Sequence, residues 1–318
     1  MDVSIVLVCM NKYTMLKDCL DSIYKYTSGV TYEVWLVAYM FSEENLKLLR
    51  QEYPEVKVIE SNEIRGFSAN NNLALRKATG KYCFILNDDT YFNMDVIGGL
   101  FRTCEQHPEI SALMPQVRYV NGKVQCSGFP PHSWWEWVQI IFTIKKDVYD
   151  PEKKYTSTEG LHETGDLLGA AIFIKTDVLA EMGYLDERYF YGPEDRALTR
   201  KMRNNGYQCW VDNDLYITHL FGGSGGSKTK TVMATRPSNR KGWLVYYESD
   251  SKLQQFILKS AIWLNSLGRG MIWGIKSLLG KQGAKYMMNA EFNVCKTIFN
   301  NQNAIEVFKH FYLKNKKS

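Results

Sequence analysis

One alternation narrows the fold of this chain more than anything else in it. Over the first ninety residues, four β-branched or apolar runs ("VSIVLVCM", "YEVWLVAYM", "VKVIES", "KYCFILND") trade places with three amphipathic stretches ("YTMLKDCLDSIYKYT", "SEENLKLLRQEY", "FSANNNLALRKAT"). The runs are too short and too β-branched for helices, and the stretches repeat their apolar positions every three to four residues. Strand and helix in strict alternation predict a parallel sheet covered by helices, the α/β class. Ser42 is placed to cap the second helix, and Gly80 reads as the end of the third. In such open sheets ligands sit beyond the carboxyl ends of the strands. The "CMNKYT" turn with Asn11, the end of "VWLVAYM" and the sequence "NDDT" at 87–90 all fall there.

The order then becomes mixed. "MDVIGGLFRTCEQHP" predicts a helix ending before Pro108, and "ALMPQVRYVNGKVQCSG" a hairpin turning at Asn121-Gly122. An aromatic-rich "FPPHSWWEWVQIIF" follows, then a polar stretch, 147–164, read as a mobile loop. "LLGAAIFIKTDVLAEMG" predicts strand then helix, "EDRALTRKMRNNG" a helix and "YQCWVDNDLYITH" a strand. "GGSGGSKTKT" reads as a flexible loop, and from about 240 the chain is helical. The domain reading is a catalytic unit over 1–240 and a basic helical region over 241–318.

Seven cysteines, an odd number with no CxxC pair, argue for a reducing compartment and against a disulfide framework or zinc site. "MDVSIVLVCMN" has no basic leader and reads as a first strand, and no uncharged apolar stretch is long enough to span a bilayer. These points predict a cytoplasmic protein.

Three features carry chemistry. Asn87 and Asp89 lie two apart at a strand end, so their side chains share a side, and hard divalent cations take such oxygen ligands together with phosphate oxygens. The alternative is an Asx turn that ends a strand. Glu194 and Asp195 open a helix, where the dipole keeps a carboxylate ionised as a base; plain N-terminal capping is the alternative. His219 follows a strand and suits a Mn²⁺-like ion or a phosphate, though a lone histidine can also be structural. The Gly-rich loop after it is not a phosphate loop, because Ser227 stands where the motif from Gly222 needs glycine; nor does an apolar helix follow "SKTKTVMATRP".

In order and spacing, "VSIVLVCMN…LKDCLDSI", "RGFSANNNLALRKATGKYCFILNDDT", "LLGAAIFIKTDVLAEMGYLDERYFYGPEDRAL" and "THLFGGS" resemble the family 2 glycosyltransferases of GT-A fold, and among them the rhamnosyltransferase-like bacterial enzymes. The resemblance covers residues 3–226. It implies a Rossmann-like, mostly parallel sheet flanked by helices, and sugar transfer from a nucleotide diphosphate donor (dTDP-rhamnose or a UDP-hexose) with inversion. The acceptor it implies is a hydroxyl of a surface glycan or lipid-linked saccharide. It implies a divalent metal, Mn²⁺ or Mg²⁺, on Asp89 and His219, with Asn87 and Asp88 beside the donor. Asp195 becomes the base, Glu194 a neighbour able to share that role, and Arg65, Gly66 and Asn70 or Asn71 are near the nucleotide. One departure stands out. Where the family carries a base-binding Asp after the second strand, this chain has Ala38 and Tyr39, leaving Tyr39, Ser42 or Glu43 to meet the base. That departure motivates a second reading, a non-catalytic nucleotide-sugar-binding or assembly subunit.

Residues 251–318 hold eleven Lys and Arg against two Glu, a net +9, while the rest of the chain is net negative. Leu253, Ile257, Leu264, Met271, Ile275 and Leu278 recur at helical intervals between Lys252, Lys259, Arg269 and Lys276, with Trp263 and Trp273 among them. This pattern fits a helix lying on a membrane surface at the inner face of the plasma membrane. It also fits a helix packed on the catalytic unit or on a second subunit, as in a homo-oligomer. It lacks the aromatic-and-Gly pattern of a single-strand binder, so no nucleic acid is expected.

Overall fold

The computed structural model describes residues 1–143, 157–220 and 230–316. Most of the polar stretch 147–164 and most of the "GGSGGSKTKT" loop lie outside them. The expected alternation is present: β1 (Val3–Cys9), α1 (Tyr13–Tyr26), β2 (Tyr32–Tyr39), α2 (Glu43–Glu52), β3 (Lys57–Ser61), α3 (Phe67–Leu75) and β4 (Tyr82–Asn87). Then come β5 (Thr90–Tyr91), α4 (Val96–Gln106), β6 (Ile110–Arg118), β7 (Val124–Cys126), α5 (Trp134–Ile141), β8 (Leu161–Thr164), β9 (Ala171–Lys175), α6 (Thr176–Glu181), α7 (Glu194–Asn204) and β10 (Gln208–His219). Four helices close the chain: α8 (Val232–Tyr246), α9 (Lys252–Leu278), α10 (Ala284–Thr297) and α11 (Ala304–Lys316). Helix α8 runs through position 240, where the sequence reading divided the chain, and it packs against α10 and α11.

The strands form one sheet in the order β3-β2-β1-β4-β9-β6-β10-β5, with β7 beside β6 and β8 beside β10. The first four strands pair in parallel, as their βαβ connections require. Beyond β4 the sheet is mixed, because β9 enters antiparallel between β4 and β6. Strand β8 lies within the stretch read as a loop. The central strands are buried on both faces, which is why "VSIVLVC" and "YCFILN" read as continuous apolar runs.

Local chemistry sets the boundaries. Ser42 Oγ accepts from Asn45 N and opens α2. The hairpin turns at Asn121-Gly122, where Gly122 has φ +78°. Helix α3 stops at Leu75, short of Gly80, whose role is close approach: a Cβ there would sit 2.5 Å from Ser4 N. Beside it, buried Glu33 accepts from Ser4 Oγ at 2.6 Å and Thr79 N at 2.9 Å and pairs with Lys57. Burial alone would raise its pKa, but Lys57, Ser4 and Thr79 together hold it down at about 2.

A helix does follow the Gly-rich loop: α8 begins at Val232 with Pro237 inside it. Together α8, α9 and α10 clasp Glu291, fully buried, between Arg236 at 2.8 Å and Arg269 at 3.0 Å. Trp263 and Trp273 turn half-buried toward the protein and pack on apolar clusters between these helices. No helix among the described residues is long and apolar enough to cross a membrane.

Candidate active site

The site is built at the carboxyl end of β4. The strand finishes at Asn87, and its turn places Asp88 and Asp89 below the surface, 3% and 1% exposed. Thr90 Oγ1 closes the turn by donating to Asn87 O at 2.7 Å. The short strand β5 then pairs with the end of β10, Thr90 opposite His219, and Leu220 N donates to Asp89 O. Two segments remote in sequence are thereby fixed side by side.

That pairing leaves Asp89 Oδ1 3.1 Å from His219 Nε2. Oδ1 is buried and accepts no well-aligned hydrogen bond, and Asp88 Oδ2 is likewise orphaned. His219 Nδ1 lies 3.1 Å from Gln125 Oε1. With that amide oxygen accepting, Nδ1 carries the ring proton and Nε2 turns its lone pair toward Asp89. Two acceptors at such a distance need a cation or a further proton between them. Burial, with the Asp89 charge adding to it, pushes the Asp88 carboxyl up to about 6. A buried, electron-rich pocket with orphaned carboxylate oxygens fits a divalent cation. Among the described residues no group of three or more His, Cys, Asp or Glu surrounds it. The remaining ligands would come from diphosphate and water, as is usual for Mg²⁺-like ions.

The second centre is tied to the first by one strap of backbone. Asn87 N donates to Ala170 O at 3.0 Å, and the adjacent Gly169 N donates to Asp195 Oδ2 at 2.9 Å. Arg196 N donates to the other oxygen, Oδ1, at 2.8 Å. Asp195 stands in the first turn of α7. Its neighbour Glu194 is the opposite case: it is buried, Oε2 has no partner, and burial with the Asp195 charge beside it raises its pKa strongly. Two adjacent carboxyls thus have different environments, one held by two backbone N–H groups and one buried with an unsatisfied oxygen.

The third wall is the segment between β3 and α3. Arg65 N donates to Tyr39 Oη at 3.4 Å, linking the ends of β2 and β3. The Arg65 guanidinium meets Glu63 at 2.8 Å, and its Nε is buried without a partner. Gly66 is pressed on Phe190, where a Cβ would come within 2.5 Å of the carbonyl oxygen. Phe67 N also donates to that oxygen. Asn11 sits at φ +53° after β1, its Oδ1 accepting from Ser42 N and Asn45 Nδ2. Glu43 lies exposed on the first turn of α2. Asn71 is turned inward and donates to Phe67 O of its own helix, while Asn70 bonds Ser61 and Arg65.

The structure therefore joins Asn87, Asp88, Asp89 and His219 directly, and Asp195 and Glu194 through the strap. Tyr39, Arg65 and Gly66 form the neighbouring wall, and Asn11 and Glu43 sit together at its outer side. Three participants were missed in the sequence. Gln125, which orients His219, hides in a hairpin strand. Gly169, which holds Asp195, looks like ordinary strand entry in "LLGAA". Tyr191 is the third: burial of its hydroxyl end, then the charges of Glu194, Asp89 and Asp195, raise its pKa, although the residue as a whole is 55% exposed; only its place in "YFYGPED" hinted at this.

This architecture is the GT-A glycosyltransferase fold, with a helical C-terminal region added. Residues 4–161 match the family model described as Glycosyl transferase family 2. Among solved structures, the mannosyltransferase PcManGT from Pyrobaculum calidifontis, in complex with GDP-Man and Mn²⁺, superposes with a TM-score of 0.57. It is 13% identical, over 94% of this chain and 88% of that one. S. aureus TarS 1-349 in complex with UDP-GlcNAc gives a TM-score of 0.51 and 17% identity over 93% and 91% of the two chains. GalNAc-T7 with UDP, GalNAc and Mn²⁺ gives 0.55 and 17% over 80% of this chain, which spans 53% of that larger one. No curated protein sequence matches the chain.

Proposed function

We propose that this protein is an inverting, metal-dependent glycosyltransferase that moves a sugar from a nucleotide diphosphate donor to a hydroxyl of a bacterial surface glycan or lipid-linked saccharide. The observation that carries this reading is the pair of unlike carboxyl centres joined through Gly169 and Ala170: Asp88 and Asp89, each with an orphaned oxygen, and His219 on one side, hydrogen-bonded Asp195 on the other. Asp89 and His219 would hold Mn²⁺ or Mg²⁺, which when bound supplies positive charge to offset the charge of the departing diphosphate. Asn87, Asp88, Arg65 and Gly66 line the donor. Asp195 takes the proton from the acceptor hydroxyl as that oxygen attacks the anomeric carbon, and the bond from that carbon to the diphosphate oxygen breaks on the opposite face.

Tyr39 offers a ring and a hydroxyl where a carboxylate would read the base. A dTDP-sugar such as dTDP-rhamnose and a UDP-hexose both remain donors to test, as does the rhamnosyltransferase-like assignment. The three neighbours themselves hold different nucleotides, GDP in one and UDP in two. The acceptor class places the enzyme at the cytoplasmic face of the plasma membrane.

A thermal-shift panel of nucleoside diphosphates with and without Mn²⁺, followed by donor turnover, tests this reading. Selective stabilisation that needs Mn²⁺ and is lost in Asp89→Ala is expected. Donor turnover in the wild type should also exceed that of Asp195→Asn. A wild-type rate no faster than both variants across the donor panel would instead favour the non-catalytic binding role.

A further inference from the structure

The longest helix among the described residues carries an apolar stripe that no other described residue covers. Helix α9 has 27 residues, hence a length of about 40 Å. Its inner face packs Leu258, Ala261, Ile262, Ser266 and Gly270 against α5, α8 and α10. On the outside, Leu253, Phe256, Leu264, Met271, Ile275 and Leu278 are between 55% and 89% exposed. At about 100° per residue, all but Phe256 fall within roughly 40° of one meridian, and Phe256 lies about 60° from it. They form one continuous strip running the length of the helix. Among the described residues this strip is left exposed, while the inner face of the same helix packs on α5 and α8.

The charges around the strip decide what fits it. Helix α9 contains no Asp or Glu. Lys252, Lys259 and Lys276 lie roughly 100° to 140° from the meridian, outside the strip and at the azimuths of Leu258 and Gly270; Lys252 is exposed, and Lys276 Nζ rests 4.7 Å from the centroid of the Trp273 ring. Lys281 and Lys285 extend the positive edge past the end of the helix. The nearby Glu291 is fully buried and taken by Arg236 and Arg269, so it offers no counter-charge outside. A second copy docking strip to strip would bring two sets of lysines together, against which the segment entering the helix offers only Asp250 and Glu248, the latter paired with Arg188. An anionic lipid surface meets both demands, accepting the apolar strip among its acyl chains and the lysines among its headgroups. Because α9 is not apolar enough to cross, it would lie along the surface.

We infer that the outer face of α9 is a bilayer-docking surface selective for anionic phospholipid. The proposal rests on the glycosyltransferase reading only for its purpose, which is to bring the site to an acceptor carried on lipid.

The test uses the full chain in flotation with phosphatidylcholine vesicles and with vesicles containing about a third phosphatidylglycerol. Leu264, Met271 and Ile275 are exposed, so a combined Leu264→Glu/Met271→Glu/Ile275→Glu variant should fold, and its thermal unfolding is recorded as the control. Wild type is expected to float with the anionic vesicles, weakly with the neutral ones, and less as salt is raised. The variant should lose roughly tenfold or more of that binding. Its Mn²⁺-dependent nucleotide shift should match wild type, so a failed docking surface and a failed enzyme reading give different results. Equal flotation of both proteins overturns the inference. So does absence of binding to either vesicle, or sedimentation showing a wild-type dimer that the variant abolishes without any vesicle binding.

Discussion

Glu194 and Asp195 differ by one position and by almost everything that matters to a proton. Asp195 accepts two backbone N–H bonds, whereas Glu194 is buried with one oxygen unsatisfied. If Glu194 is held protonated, glutamine is a close mimic of its working state. Glu194→Gln is expected to keep donor transfer within about tenfold of wild type, while Asp195→Asn loses about 10²- to 10⁴-fold in kcat, the usual worth of a positioned base. Steady-state transfer rates at neutral pH check both, and a larger loss in Glu194→Gln would move the base to that residue. The resemblance put the base at Asp195, but the bond that sets it apart from Glu194 comes from Gly169, distant in the chain, which no local pattern reveals. For Asp89 and His219 the residue types were legible and the reason for their pairing was not, since it rests on a two-residue strand no periodicity can reveal.

At the scale of elements, the same buried contacts that set register can be broken singly. Gly66→Ala would drive a methyl into the Phe190 carbonyl at 2.5 Å, where both partners are backbone. A loss of about 1–3 kcal/mol is expected, with weaker nucleotide binding, since α3 and the Arg65 segment must retreat together. Urea unfolding and nucleotide titration measure the two effects. Glu33 clasps β1, β2, β3 and the segment before β4. Its folded pKa of about 2 lies below the ordinary glutamate value of 4.5, so its contribution is fully present above pH 4.5. That contribution declines as pH falls through the interval and is gone below about 2. By linkage it amounts to about 3 kcal/mol. The gap in unfolding free energy between wild type and Glu33→Gln should therefore be widest near neutral pH and close as the solution is acidified below pH 4.5. The first four strands were readable because each pairs within a local βαβ unit. The antiparallel entry of β9 was not, because "AIFIK" states that it is a strand but not which neighbours it will take.

The whole molecule depends on the joint between the sheet and its C-terminal helices. Glu291 ties α8, α9 and α10 together by charge, and both of its ionic partners are arginines. Glu291→Ala leaves Arg236 buried without its carboxylate and is expected to cost about 3–5 kcal/mol. Protease cutting should appear first within residues 247–303, before the sheet gives way. The amphipathic pattern of α9 was visible in its sequence, but the direction it faces was not. Trp263 and Trp273 looked like interfacial anchors and instead turn inward, while the aliphatic strip faces out. Periodicity identifies a stripe; only the neighbours decide whether it is a seam or a surface.

The ladder that sets Asp89 beside His219 has a consequence in time. A ribosome adding roughly 5–20 residues per second releases the first carboxylate on the order of ten seconds before the histidine. Strands β1 to β4 can settle in that interval, with Asp88 and Asp89 at their tip and nothing opposite. Whatever the pair holds, it can be held only after β10 arrives, so occupancy of this pocket certifies that a newly made chain has finished its sheet.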